Sequence, residues 1–391
     1  MSTSVRRFLA VALCAAALPS ALSAQKGAKE PKRPKLSAQA DTNEWKSYYD
    51  YGVANVRTMP GRAADGFYWA MRLNPSRAEP WYGRWVALWM AKPEMLSEYW
   101  KGAEFVVNSG DAQRIDSLKY QALLRNPFVF QGLERLRIAA VFDHEYGQGQ
   151  WEWSAAPEIS AWLAYTEGAF PEATRRFQAA IAREPRAIGL HEDRARAFFA
   201  MQAYDSAARE MQVLIDALKR LERRRLTYFY QSKAMYEYSV GVTYVARQDF
   251  YNAREAFSRA LSEDLGFYMA HGALGAASLV QGDTATAITE YEQAVQINGE
   301  DPVLRHDFGV LLMAAGRNEE AVEHLAKSIA LEPYFASPYF FHAFTLDRLG
   351  KGPEAAAQYQ EFLRRAPRSM GQQITVAQQR LAALGKVAGG R

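Results

Sequence analysis

A chain of 391 residues exceeds the usual size of one compact domain, and 49% hydrophobic with 13% aromatic residues is too apolar for a disordered polymer. Several domains or an elongated repeat array are expected. The formal charge of +4 includes Arg6 and Arg7, and the rest mixes both signs, which excludes the electrostatic footprint of a nucleic-acid binder.

Residues 1–24 read as a secretory signal peptide: Arg6 and Arg7 form a positive start, residues 8–18 an apolar run, and residues 21–24 (ALSA) a small-residue cleavage region. The run is too short to cross a membrane, and no later stretch reaches about 18 apolar residues. An exported protein, periplasmic or secreted and without a membrane span, is therefore expected. The only cysteine, Cys14, lies inside this segment behind Leu13, which does not suit a lipid-anchoring site. After cleavage no thiol remains for a disulfide, a thiolate metal site or a nucleophile. Residues 25–43 are rich in Lys and Pro and poor in large apolar side chains, the composition of a flexible basic linker.

From residue 44 onward the chain repeats. Ala253, Ala287, Ala321 and Ala355 are spaced by 34 residues, each followed four positions later by Phe257, Tyr291, Leu325 or Tyr359. Gly241, Gly275 and Gly309 keep the same period, as do Gly282, Gly316 and Gly350. Small residues on both members let two antiparallel helices approach closely, and large ones fill the space between them. Gly282, Gly316 and Gly350 suit left-handed caps of the first helix. Pro333 and Pro367 suit the stop of the second. Such a pair cannot bury its own apolar face, so each unit is stabilised by stacking on the next.

With these small, large and proline positions the chain resembles the tetratricopeptide-repeat family. The resemblance implies an all-α, right-handed solenoid of helix-turn-helix repeats. Residues 44–153 form Trp-rich divergent repeats, 154–233 two repeats, 234–369 four regular ones, and 370–391 a capping helix and tail. Units starting at 188 and 234 are 46 residues apart, which lengthens a second helix through residues 219–233. A degenerate unit near 112 places Ile115, Leu118 and Ala122 on one face, with Asn126-Pro127 ending its helix; residues 143–153 are the excess loop.

The resemblance also implies that the first helices line a concave groove. Its lining would include Trp45, Tyr48, Tyr82, Trp89, Trp162 and Tyr165, then Phe199, Tyr238, His306, Phe340 and Phe344. Val86, Met235, Val242, Met269, Leu279 and Met313 fall at equivalent places. Family members that clamp acidic chaperone tails need Lys and Asn at positions occupied here by Tyr48 and Gly52, Tyr82 and Val86, or Tyr238 and Val242. An apolar peptide segment or helix fits this groove better than an acidic tail.

All nine tryptophans lie between Trp45 and Trp162. Trp81, Trp85 and Trp89 share one helical stripe, of which Trp81 and Trp85 are expected in the core and Trp89 in the groove. Stacking of these rings on an envelope glycan or peptidoglycan is the alternative to a protein partner. No zinc-protease pattern, nucleophile elbow, phosphate loop or dinucleotide fingerprint is present, and Asp143-His144-Glu145 lacks a further ligand. A non-catalytic scaffold for protein-protein interaction, with no cofactor and no metal, is the expectation; a small hydrolase built on residues 92–150 is much weaker.

Overall fold

The computed structural model describes residues 30–92, 110–129, 157–223 and 233–389. Among the described residues there are seventeen α-helices and no strand. The first four are α1 (Trp45–Asn55), α2 (Pro60–Leu73), α3 (Ala78–Met90) and α4 (Gly110–Arg125). Next come α5 (Pro157–Thr166), α6 (Phe170–Arg183), α7 (Gly189–Ala200) and α8 (Tyr204–Arg223). The regular units follow as α9 (Lys233–Ala246), α10 (Phe250–Glu263), α11 (Tyr268–Val280) and α12 (Thr284–Ile297). The last are α13 (Pro302–Ala314), α14 (Asn318–Leu331), α15 (Ala336–Arg348), α16 (Gly352–Arg365) and α17 (Gly371–Gly389).

Helices pack chiefly on neighbours in sequence, and where short described turns join them the pairs are antiparallel. The small residues do what their spacing implies. A Cβ at Gly275 of α11 would lie 2.8 Å from the Tyr291 ring of α12, so only glycine lets the two helices meet there. In the first units the fully buried Phe67 ring of α2 lies between Gly52 of α1 and Gly83 of α3. The caps fall in register as well: Gly168, Gly282, Gly316 and Gly350 have φ between 74° and 82°. Gln202 and Gln248 hold the same left-handed place at φ 60° and 61°, a strain that the glycines avoid. Asp249, Asp283 and Asp301 cap the following helices by accepting backbone N–H bonds. Helices α2, α6, α14 and α16 each stop two residues before a proline, at Leu73, Arg183, Leu331 and Arg365.

The irregularities also have structural counterparts. Helix α8 runs for 20 residues, to Arg223, where α10, α12, α14 and α16 run for 14; of the expected extension through 233, residues 224–232 lie outside the described residues and Lys233 already opens α9. Helix α4 ends before Asn126, whose Oδ1 accepts the Phe128 N–H at 2.9 Å. Ile115, Leu118 and Ala122 are buried together against Trp81, Trp85 and Trp89. Residues 1–29 and 143–153, hence the signal peptide, the excess loop and Asp143-His144-Glu145, lie outside the described residues.

The stretch 30–43, expected as part of a flexible linker, is instead packed on the first unit. The Pro31 carbonyl accepts the Trp69 Nε1–H at 3.1 Å, Arg33 lies 5.0 Å from the Tyr48 and Trp69 ring centroids, and Leu36 joins their cluster. Cation–π contacts and one carbonyl do here what large apolar side chains do elsewhere, which composition does not reveal.

From this packed start the first units meet the last ones. Arg72 of α2 bonds Glu332 at the end of α14 at 2.6 Å, and Trp69 meets Tyr334 edge to face at 5.1 Å. Asp41 accepts the Arg368 N–H at 2.7 Å, and Ser369 donates to Glu44 at 2.6 Å. The solenoid is thus closed on itself.

Candidate partner-binding groove

The inner face of α7, α9, α11 and α13 is where a groove is expected, and part of it is filled by the chain itself. Helix α4 and the turn after it lie there. Leu124 is fully buried in a cluster with Tyr238, Phe257, Phe267 and Leu274, and Tyr120 packs at its edge. Phe128 stacks on Phe199 at 4.0 Å, nearly parallel, among Ala195, Met211, Tyr236 and Val240.

Polar groups fasten this segment as well. Helix ends leave carbonyls without an intrahelical partner. The Leu124 carbonyl finds one in the buried Tyr238 hydroxyl, which donates at 2.8 Å. Burial pushes the Tyr238 phenol well above its usual range, with Arg125 pulling weakly the other way. Arg125 reaches Asp301 at 3.3 Å, each side chain only 5% exposed. Its Nε also donates to the Pro75 carbonyl at 2.6 Å, and its guanidinium lies over the Trp81 ring at 4.6 Å. Asp301 is tied down in turn, because its Oδ1 accepts the Val303 and Leu304 N–H groups as the cap of α13. A guanidinium between an aspartate, a carbonyl and an indole face is held far more rigidly than one at a surface.

Next to this plug an open pocket of about 290 Å³ remains. Tyr238, Met269, Ala273, Ala276 and Leu304 form its apolar walls, and Ser76, Arg125, Asp301 and Asp307 its polar end. Beyond it, Leu279 and Val280 are exposed at the end of α11.

The sequence-predicted groove residues are distributed unevenly about this space. Tyr48, Tyr82, Trp89, Tyr165, Tyr238 and Phe340 are buried, so a partner does not reach them in this conformation. Trp89, expected to face the groove, is as deep as Trp81 and Trp85: all three pack on α4. Trp85 Nε1 donates to Asp116 at 2.9 Å and Trp81 Nε1 to the Pro75 carbonyl at 3.2 Å. Burial raises the Asp116 carboxyl, and the indole bonds offset part of that. Tyr48 lies under Arg33, Tyr82 packs on Trp85, and Tyr165 on Trp162 and Phe170.

Trp45, Trp162, Phe199, His306 and Phe344 are partly buried. Phe199 and Tyr238 are brought together on one occupant, through Phe128 and Leu124. His306 sits farther along, bonding Asp307 at 2.7 Å and Ser337 at 2.8 Å, while Phe340 and Phe344 stack on each other at the last unit. Residues that sequence reasoning missed are the occupant's own, Tyr120, Leu124, Arg125 and Phe128, with Asp301 as their anchor. Only Asn126-Pro127 hinted that a helix end lay there.

A second missed cluster closes the ring. Glu332 is fully buried, and burial pushes its carboxyl up to about 7 against the pull of Arg72. Arg72 also bonds Glu30 at 2.5 Å and the Tyr68 hydroxyl at 2.7 Å and lies 4.8 Å from the Tyr334 ring centroid. Burial disfavours its charge, yet the two carboxylates raise its pKa above the ordinary value. Among the described residues no three or more His, Cys, Asp or Glu are grouped to hold a metal ion, and no helix is long and apolar enough to cross a membrane.

Two family models, both described as tetratricopeptide repeat, match residues 241–302 and 278–333. Comparison with curated proteins finds no match. Among solved structures, a MamA protein is similar at 18% identity and a TM-score of 0.40, covering 46% of this chain and 91% of its own. YrrB, described as a TPR protein with an unusual peptide-binding site, is similar at 18% identity and a TM-score of 0.41, covering 52% of this chain and 97% of its own. The C-terminal part of a TPR repeat-containing protein from Cytophaga hutchinsonii is similar at 16% identity and a TM-score of 0.46, covering 59% and 88%.

Proposed function

Because the chain is a tetratricopeptide-repeat protein, with family matches over residues 241–333, we propose that it is a non-catalytic scaffold that docks an apolar protein segment on the inner face of α9, α11 and α13. The observation that carries this reading is the seat of α4: the face already accepts a helix end, with Leu124 in an apolar socket and Arg125 on Asp301. Helix-in-groove recognition uses this combination of apolar anchors and a fixed polar contact. The open pocket beside it, lined by Met269, Ala273, Ala276 and Leu304, offers unfilled apolar surface for the partner.

The glycan alternative loses its best residues, since Trp81, Trp85 and Trp89 are core and two of their indole N–H groups bond within the chain. Action outside the cytoplasm rests on residues 1–24 and is part of the same proposal. Fractionation of a C-terminally tagged chain tests it: deleting residues 2–24 is expected to retain the protein in the cytoplasm, and unchanged export refutes that part. For the groove, a photoreactive residue at position 276 is expected to crosslink a protein partner in cells. Leu279→Glu should abolish the crosslink and Tyr251→Ala, on the exposed second helix of its unit, should not. Equal loss or equal retention with both variants refutes groove docking.

A further inference from the structure

We propose that residues 118–129 are a built-in occupant of the groove, which a partner displaces by presenting the same chemistry: a short apolar helix end with a basic residue beside its buried leucine. This rests on the groove reading above and names the partner class for it.

The segment has two loyalties. Through Leu118, Ala122 and Val129, and through Arg125 on the Pro75 carbonyl and the Trp81 ring, it belongs to the first units, packed with Trp81, Trp85 and Trp89. Through Leu124, Arg125 and Phe128 it belongs to the groove, where every anchor meets a residue of another unit: the Tyr238 cluster, Asp301 and Phe199. The socket therefore reads three things at once. It takes a leucine-sized side chain, caps a free helix-end carbonyl with the Tyr238 hydroxyl, and pairs one cation with Asp301.

What holds the occupant's carrier in place, away from the socket, is largely polar and specific. Arg72 with Glu332, the Tyr334 hydroxyl on Glu30, Asn43 on the Arg364 carbonyl, Asp41 on the Arg368 N–H and Glu44 on Ser369 join the first units to the last; among the described residues the apolar contact there is Tyr334 on Trp69 and its cluster. A body attached by one apolar plug and a few polar clasps separates as a unit more readily than one continuous core does. The pocket beside the plug, bounded by Ser76 and Arg125 on the first units' side and Met269 and Ala276 on the groove side, gives a partner its point of entry.

The free affinity of such a groove is reduced by the fraction of molecules in which it is open. The test uses the full chain and a fluorescent synthetic peptide of residues 115–129 added in trans, with binding read by anisotropy. Wild-type protein is expected to bind it weakly. The variant Leu124→Ala/Phe128→Ala, which weakens the internal occupant, is expected to bind the same peptide at least about tenfold more tightly. A peptide carrying those two alanines should not bind, and Asp301→Asn added to the opened protein should reverse the gain.

Arg72→Gln, which loosens the clasp and leaves the socket intact, serves as a second opening variant and should also raise peptide binding. Hydrogen exchange on the wild-type chain gives an independent reading: amides of residues 118–128 should exchange with those of α2 and ahead of those of α9–α12. No gain in peptide binding with either folded variant, or exchange of residues 118–128 only together with α9–α12, overturns the proposal. Those results leave the crosslinking test of the groove standing, because a partner at position 276 can sit in the open pocket beside a permanent plug.

Discussion

Replacing Arg72 with Met isolates the buried end of the clasp. Glu332 has no solvent exposure, and its carboxyl lies at about 7 against an ordinary 4.5. A carboxyl raised in the folded state makes stability fall as pH rises from the unfolded value to the folded one, and level off above it. In the wild type this amounts to about 3 kcal/mol, complete by pH 8. Without the guanidinium the carboxyl keeps its proton at pH 8, which costs about 5 kcal/mol relative to an ordinary glutamate, so the decline continues past neutrality. The difference, with about 1 kcal/mol for each of the hydrogen bonds lost to Glu332, Glu30 and Tyr68, makes R72M less stable by about 4–5 kcal/mol at pH 8. At pH 5 both proteins hold the proton and only the lost hydrogen bonds, about 3 kcal/mol, separate them. The double variant R72M/E332L removes the buried carboxyl altogether and is expected to match or exceed the wild type at pH 8, as apolar replacements of buried pairs often do. Denaturant unfolding followed by far-ultraviolet circular dichroism at the two pH values measures all three proteins. An equal loss for R72M at both pH values, or a double variant as unstable as R72M at pH 8, refutes the reasoning.

Gln248→Gly removes a left-handed non-glycine residue at the place where three later units carry glycine, and a stabilisation of about 1 kcal/mol is expected by thermal unfolding. Gly275→Ala puts a Cβ 2.8 Å from the Tyr291 ring and 3.2 Å from the Ala287 carbonyl, and should cost about 1–3 kcal/mol in denaturant titration. Two histidines act in opposite senses on the acid limb. Burial, and then Arg305, hold His324 down at about 4, so its share of stability is lost as pH falls from the ordinary 6.5 toward 4. The Glu290 hydrogen bond raises His271 above the ordinary 6.5, so its share is complete below 6.5 and is lost as pH rises through its folded value. Imidazole titration by NMR should show the two on opposite sides of 6.5; a shared value near 6.5 refutes both assignments.

The repeat was legible because independent residues keep one register. Ala287 with Tyr291, the close approach at Gly275 and the cap at Gly282 each constrain a different part of the unit, and all agree. The lengthened helix α8 was legible as extra residues between units, and the end of α4 as Asn126-Pro127. The strained Gln202 and Gln248 were not, because only the neighbouring units' glycines reveal what those places demand. The clasp was not legible either. Arg72 and Glu332 are 260 positions apart, and nothing local marks either as destined for burial.

At the expected groove the apolar pattern left open what covers it. Apolar side chains on the groove-facing places of the first helices, the second, fifth, ninth and twelfth of each unit, require that something cover them, but their identity does not say whether the cover comes from another molecule. Tyr238 and Phe199 are covered by Leu124 and Phe128 of the same chain, and Trp89 by the face of α4 that carries Ile115 and Leu118. Met269, Ala276 and Leu279, at the second, ninth and twelfth places on α11, remain partly or largely open. The same helix face therefore changes from self-covered to open within two units, at the point where α4 ends and Arg125 turns onto Asp301. A helix end is where a chain must satisfy leftover carbonyls, and here Tyr238 satisfies one from outside the helix. The residue that most defines the groove is thus committed to the occupant, which is why a competing segment has to bring its own helix end rather than an extended acidic tail.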